Sequence, residues 1–184
     1  MADITSLAQS WLNADTIILD TETTGLSKTD QVIEIAAVNG LGAMLLDCRI
    51  KPTVEINPHA QAVHGISAAS LTNAPEWSAI HARFTSLIQG KTLIAFNAKF
   101  DLAMLQQSAY AHRRSITFGK TGCAMELAVA RFGSTNRYGS ISLSNATHAA
   151  GVTFQGAAHS ALGDALTTLA LIQAIAANQP SEFL

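Results

Sequence analysis

Charge is scarce in this chain. Lys, Arg, Asp and Glu make up 13% of its 184 residues, against roughly 25% in soluble domains. An acid set beside an apolar run therefore carries information that a highly charged sequence would bury. Long like-charge blocks are absent and 48% of the residues are hydrophobic, which excludes broad disorder. Cysteine is nearly absent too. Cys48 and Cys123 are too few for a disulfide scaffold and lack the C-x-x-C spacing of a zinc site, so reduced thiols are expected. The first twenty residues contain no Lys or Arg, so the basic start of a signal peptide is missing. The most apolar stretch, Ala165 to Ala177, is broken by Thr167, Thr168 and Gln173 and is shorter than the ~20 residues needed to span a bilayer. A soluble, cytoplasmic protein with no membrane association is expected.

What is present suits one domain, residues 1–184, with a sizeable core. Thr16 to Asp20 is a short β-branched run and reads as a strand. Val32 to Val38 reads as a second strand, paired with Met44 to Ile50 through the turn Asn39-Gly40-Leu41-Gly42. Pro52 and Pro58 mark a loop, and Ser67 caps a short helix through Leu71. Helices are expected over Glu76 to Ile88, Ala98 to His112 with Asn97 as cap, Cys123 to Phe132, Leu143 to Ala150 and Ser160 to Asn178. Thr92 to Phe96 is a fourth strand, and Gly133 to Ser142 reads as a polar loop. The order predicts an α/β sheet with an antiparallel part and helices packed on it. For a fifth strand, Ser115 to Phe118 and Val152 to Phe154 are the candidates.

Three groups of acids stand out. Asp20 and Glu22 are two apart on a strand, so both carboxylates point to one face. Such a pair is costly to bury unless a cation neutralises it, and all-oxygen ligands favour a hard ion, Mg²⁺ or Mn²⁺. The plainer reading is the start of a polar turn. Asp101 lies one turn into a helix that follows a strand, where it can reach over the sheet edge or simply complement the helix dipole. Asp164 is the lone acid of an Ala/Leu-rich helix and needs a partner. His159, five residues earlier, would sit about 140° away on a continuous helix, so a shared site requires His159 to precede the helix, with Ser160 as cap. His59, His81, His112 and His148 show no ligand spacing to one another and read as structural.

The formal net charge of −2 speaks against a polyanion-binding surface, but the distribution is uneven. Residues 91–137 carry seven bases (Lys91, Lys99, Arg113, Arg114, Lys120, Arg131, Arg137) against Asp101 and Glu126. This excess either tracks phosphates or is a solvated face.

Taken together, Asp20-Thr-Glu22-Thr-Thr-Gly-Leu, Asn97-x-x-Phe100-Asp101 and His159-x-Ala161-x-x-Asp164 resemble the three motifs of the DEDDh (DnaQ-like) 3′–5′ exonucleases. Val63-His64-Gly65-Ile66-Ser67 resembles that family's H-G-I-[ST] loop, with Lys51-Pro52 ahead of it. The resemblance covers about residues 16 to 175. One departure is Phe96, where many relatives have His, and His159 rather than Tyr places the chain in the DEDDh branch. The resemblance implies a ribonuclease H-like fold with a mixed five-stranded sheet flanked by helices. It implies phosphodiester hydrolysis at the 3′ end of single-stranded nucleic acid, releasing nucleoside monophosphates. Two divalent ions, Mg²⁺ or Mn²⁺, would be held by Asp20, Glu22 and Asp164 and by Asp20 with Asp101 directly or through water. His159 would act as general base, for which an ordinary imidazole pKa of ~6.5 is suited. Thr23 and Leu26 would meet the terminal nucleotide, His64 its sugar or base, and Asn97 would either bind substrate or only cap its helix. T-T-G-L and H-G-I-S look most like the DNA-directed relatives, which favours DNA over RNA and makes a DNA polymerase or repair protein a candidate partner. An exoribonuclease, a non-catalytic nucleic-acid-binding module of the same fold and a phosphoesterase acting on small nucleotides are the alternatives.

Overall fold

The computed structural model describes residues 3–177; Asn178, expected to end the last helix, lies outside them. The elements run α1 (Ile4–Ser10), β1 (Thr16–Thr23), β2 (Val32–Asn39), β3 (Met44–Arg49), α2 (Pro58–His64), a 3-10 turn (Ala69–Leu71), α3 (Trp77–Ile88), β4 (Thr92–Ala95), α4 (Ala98–Ala111), β5 (Lys120–Cys123), α5 (Ala124–Phe132), α6 (Leu143–Ala149) and α7 (Ala161–Ala176). They form one mixed five-stranded sheet in the order β3-β2-β1-β4-β5, flanked by helices. β2 is antiparallel to both β1 and β3, whereas β4 is parallel to both β1 and β5.

β1 is central because its apolar residues serve both faces. Ile17 and Leu19 point into a core with Ile35, Leu93, Trp77 and Phe84, which joins the sheet to α3 and α4. Ile18 points the other way, toward Val38, Ile94, Leu171, Ile172 and Ile175, and this second layer is made by α1, α5, α6 and α7. The expected hairpin is present: Asn39 Oδ1 accepts the backbone N–H groups of Leu41 and Ala43, and Gly42 takes a positive φ of 89°.

Three expectations are corrected. The fifth strand is Lys120–Cys123, not Ser115 to Phe118 or Val152 to Phe154. Lys-Thr-Gly-Cys has no apolar run to signal a strand; it pairs because β4 presents a free parallel edge, from Thr92 with Lys120 to Ala95 with Cys123. Gly122, a poor strand former by propensity, is required there, since a Cβ would lie 2.6 Å from both Ile94 and Trp11 side chains. The segment after Pro52 is not all loop. Pro58 sits in the first turn of α2, Asn57 Oδ1 accepts the His59 N–H at 2.8 Å, and Gly65 closes the helix at φ 71°, the Pro-first, Gly-last pattern of a helix. Asn97 precedes α4 but makes no capping hydrogen bond.

Gly40 fixes where the β2–β3 turn meets the start of β1. Its N–H donates to the Thr16 carbonyl at 2.9 Å, and a Cβ would lie 2.2 Å from the Trp11 backbone oxygen. Backbone cannot rotate aside as a side chain can. Gly40→Ala is expected to cost about 1–3 kcal/mol or more and to lower Tm by about 2–4 °C per kcal/mol. An unchanged Tm in thermal unfolding would contradict this packing.

Candidate active site

The site is built where β1 outruns its parallel neighbour. β4 ends at Ala95 and pairs with β1 only from Thr16 to Ile18. Beyond Ile18 that flank of β1 is open, and α4 starts beside it. Asp20 and Glu22 alternate onto the α7 face, with Ile18. Across the antiparallel ladder Asp20 faces Ala36, a small residue, and Glu22 faces Glu34. α7 lies over β1 and β2 and brings Asp164 down on the pair. Asp20, Glu22 and Asp164 each offer an oxygen within 4.8 Å of the others. Asp101 arrives from the opposite layer. It is buried on α4 and its Oδ1 accepts the Thr21 hydroxyl at 2.7 Å, Thr21 pointing to the α4 side with Ile17 and Leu19.

Electrostatics show what this arrangement lacks. Burial, then Asp101, Asp164, Glu22 and Glu34 in turn, hold the Asp20 carboxyl well above the carboxylate range. Glu22 is pushed up to about 7 by burial and by Asp164, Glu34 and Asp101. Burial also raises Asp101 to about 7 despite the Thr21 hydrogen bond. Asp164 is raised by burial, against the pull of the His159 backbone N–H and imidazole. The Asp164 Oδ1 atom is buried and meets no hydrogen-bond donor among the described residues. The ion pairs among those residues are Arg49 with Glu34 and Lys91 with Asp15, so no Lys or Arg side chain pairs with the four acids. A hard divalent cation is the group this oxygen set fits.

His159 stands outside the helix, as the five-residue spacing to Asp164 requires. It takes a left-handed φ of 59°, Ser160 caps α7 by accepting the Gly163 N–H, and the helix begins at Ala161. Its ring is exposed beside the acids. On the other side of Glu22 opens a hollow of about 520 Å³, lined by Thr23, Leu26, Val63, His64 and Phe100 among others. Leu26 is 82% exposed at this hollow. Asp30 holds the loop that presents it, accepting the Thr24 hydroxyl and the Ser27 N–H, each at 2.7 Å. The Thr23 hydroxyl is spent on the Gly25 carbonyl at 2.7 Å. His64 Nδ1 accepts the Ile66 N–H at 2.9 Å, so in the neutral ring the proton sits on Nε2, which is buried without a partner. Burial lowers the His64 pKa and favours that neutral form.

Of the sequence-derived site residues, Asn97 alone stands apart, exposed in a separate hollow with Lys99 and Glu126. Arg113 and Arg114 follow the end of α4, about 18 Å along the helix from Asp101. Phe100 belongs to the second sequence motif, whereas Asp30 and Glu34 lie outside all of them. Glu34 had a signal like that of Asp164, a lone acid in an apolar run.

The exonuclease family model of the RNase_T type matches residues 17–172. The chain belongs to the DEDDh, DnaQ-like exonucleases of the ribonuclease H-like superfamily. This exonuclease is 33% identical, over 95% of both chains, to "Uncharacterized exonuclease CP81" of Escherichia phage 186. It is 32% identical to the DNA polymerase III subunit epsilon of Escherichia coli K12, over 62% of this chain and about half, 52%, of that one. Among solved structures it is similar to Exonuclease X in complex with 5′ overhanging duplex DNA, with a TM-score of 0.68 at 25% identity over 89% of this chain and 92% of that one. No helix of the described residues is long and apolar enough to cross a membrane.

The raised acids give a pH signature without metal. Glu22 and Asp101 keep their protons in the folded state up to about pH 7 but lose them near 4.5 and 3.8 when unfolded. The folded form therefore binds more protons in that interval, and stability falls as pH rises through it. For the chelator-treated exonuclease, Tm is expected to drop from pH 5 to pH 7.5. Asp20→Asn should flatten the drop and raise Tm at pH 7.5, and Mn²⁺ should then stabilise the wild type but not the variant. A lower Tm for chelated Asp20→Asn at pH 7.5 would count against the clustered-acid account.

Proposed function

We propose that this exonuclease degrades single-stranded nucleic acid, DNA in preference to RNA, from the 3′ end and releases nucleoside monophosphates. The observation that carries this reading is the cluster of Asp20, Glu22 and Asp164, with Asp101 charge-coupled to it, an apolar hollow that Glu22 also lines, and the exposed His159 acting on Asp164. Asp20, Glu22 and Asp164 would hold one Mg²⁺ or Mn²⁺, and Asp20 with Asp101 would hold a second. Bound there, the ions would supply positive charge to the scissile phosphate and lower the pKa of water.

The protein's own groups account for the rest. His159 accepts the proton of the attacking water. Its place before the Ser160 cap leaves the imidazole in solvent, where it can pass that proton on. Leu26, Val63 and Phe100 offer apolar contact to the terminal base. His64, its Nδ1 held by the Ile66 N–H, lines the same hollow and would lie against the terminal sugar or base. Thr23 contributes backbone, its hydroxyl being committed to the Gly25 carbonyl. The preference for DNA is supported by relatives named for a DNA polymerase subunit and for a complex with DNA. The same relatives make a DNA polymerase or repair protein the partner to look for. Residues 1–184 are taken as one exonuclease domain of a cytoplasmic protein.

The test compares 3′-labelled single-stranded DNA, duplex DNA and RNA in Mg²⁺ and in chelator. Labelled mononucleotide is expected first from single-stranded DNA, and none in chelator. Faster release from RNA would overturn the DNA preference, and no release from any polymer would leave a binding module. His159→Ala is expected to lower kcat by about 10²–10⁴-fold with little change in Mn²⁺-induced stabilisation. Unchanged turnover at saturating Mg²⁺ would remove the general-base role.

A further inference from the structure

A fifth acid is buried in the same layer as Asp20 and Glu22. Glu34 is 7% exposed in the middle of β2. It faces Glu22 across one ladder and Arg49 across the other, forming a row over β1, β2 and β3. Both of its oxygens are used: Oε1 accepts from Arg49 Nε at 3.2 Å, and Oε2 accepts the Ala161 backbone N–H at 2.9 Å.

Ala161 is the first residue of α7. The first N–H groups of a helix have no partner within it and form the positive end of its dipole, so a carboxylate there is favourable. Yet Glu34 also adds negative charge beside acids that already repel one another. What it does in return follows from its place. Ala161 lies two residues after His159 and three before Asp164. Gly151 and Val152 bond back to α6, and beyond them the bonds tie the segment to itself or to α7: Ser160 Oγ to the Ala157 carbonyl, and the Gln155 N–H to Thr167 Oγ1. The Glu34–Ala161 bond instead ties the start of α7 to the sheet. His159, held at a positive φ in an exposed segment, depends on such an anchor.

We propose that Glu34 is a positioning residue that seats the first turn of α7 on β2, and so sets where His159 and Asp164 meet Asp20 and Glu22. The proposal rests on the exonuclease reading of the site. Arg49 neutralises Glu34 from its half-exposed side and is not needed for the bond to Ala161.

Three full-length variants test this. Glu34→Ala removes the bond. Glu34→Gln keeps an oxygen for the Ala161 N–H without the charge, and Arg49→Met leaves the bond in place. At saturating Mn²⁺, Glu34→Ala is expected to lower kcat for single-stranded DNA by about 10–100-fold, with the KM for DNA changed by less than about threefold. Glu34→Gln should recover most of that loss, and Arg49→Met should stay near wild type. In metal-free protein, amide hydrogen exchange at Ala161 should speed up in Glu34→Ala and not in Glu34→Gln, a readout independent of turnover. Unaltered kcat or Ala161 exchange in Glu34→Ala, beside an active wild type, would overturn the inference alone. So would an equal loss in Glu34→Gln, since charge rather than the bond would then be at work. Should Glu34→Ala not fold, Glu34→Gln decides: near-wild-type kcat with protected Ala161 supports the anchor, and loss of either overturns it. A wild type that releases no nucleotide fells the exonuclease reading and this inference with it.

Discussion

Carboxylate repulsion at the end of β1 is the constraint around which the molecule is arranged. Asp20, Glu22, Asp101 and Asp164 converge with no Lys or Arg side chain paired to them among the described residues. Each is out of water enough for burial to be the first cause of its raised pKa. A protein can carry such a cluster only if the surrounding fold is stable enough to hold it in place. The two apolar layers, one against α3 and α4 and the other against α1, α5 and α7, supply that stability from both sides of the same strand.

The route by which the acids meet is a matter of strand length. β4 is four residues long and β1 is eight. The part of β1 that β4 does not reach gives α4 a way in from one layer while α7 covers it from the other. Thr21 and Asp20 are neighbours that point to opposite faces, and Asp101 touches both environments, hydrogen-bonded to the first and charge-coupled to the second. Lengthening β4 by one ladder pair would close the gap that Asp101 uses. Ala36 opposite Asp20 serves the same end, since a larger side chain would fill the space between sheet and α7.

Much of this was legible in the sequence, and the reasons for the rest are specific. Period-two spacing put Asp20 and Glu22 on one face. Helical spacing forced His159 out of the helix of Asp164, and the Ser160 cap made that possible. The hairpin announced itself through Asn39 and two glycines. β5 did not, because its pairing is decided by the free edge of β4 and by the room that Gly122 leaves for Trp11, both long-range facts. α2 was missed although its punctuation was written plainly, Asn57-Pro58 at the start and Gly65 at the end. Asn97 was assigned a cap by type, yet its backbone at φ −114° and ψ 70° does not bring the side chain to the helix amides. Glu34 was overlooked because its role depends on a partner 127 residues away.

The small residues of α7 complete the argument. Composition alone makes this helix look like filler, yet it is buried on nearly every side, and its closeness to the sheet is what lets one carboxylate of β2 reach its first N–H. Gly163 shows how little room remains: a Cβ there would lie 2.2 Å from the Ala157 carbonyl, on the segment that carries His159. That segment folds back over the helix start, pinned by Ser160 and Thr167. The reach of the histidine is thus set by two close approaches: the 151–160 segment onto Gly163, and Ala161 onto Glu34. Bulk added at either would move an imidazole that the acids of β1 need nearby.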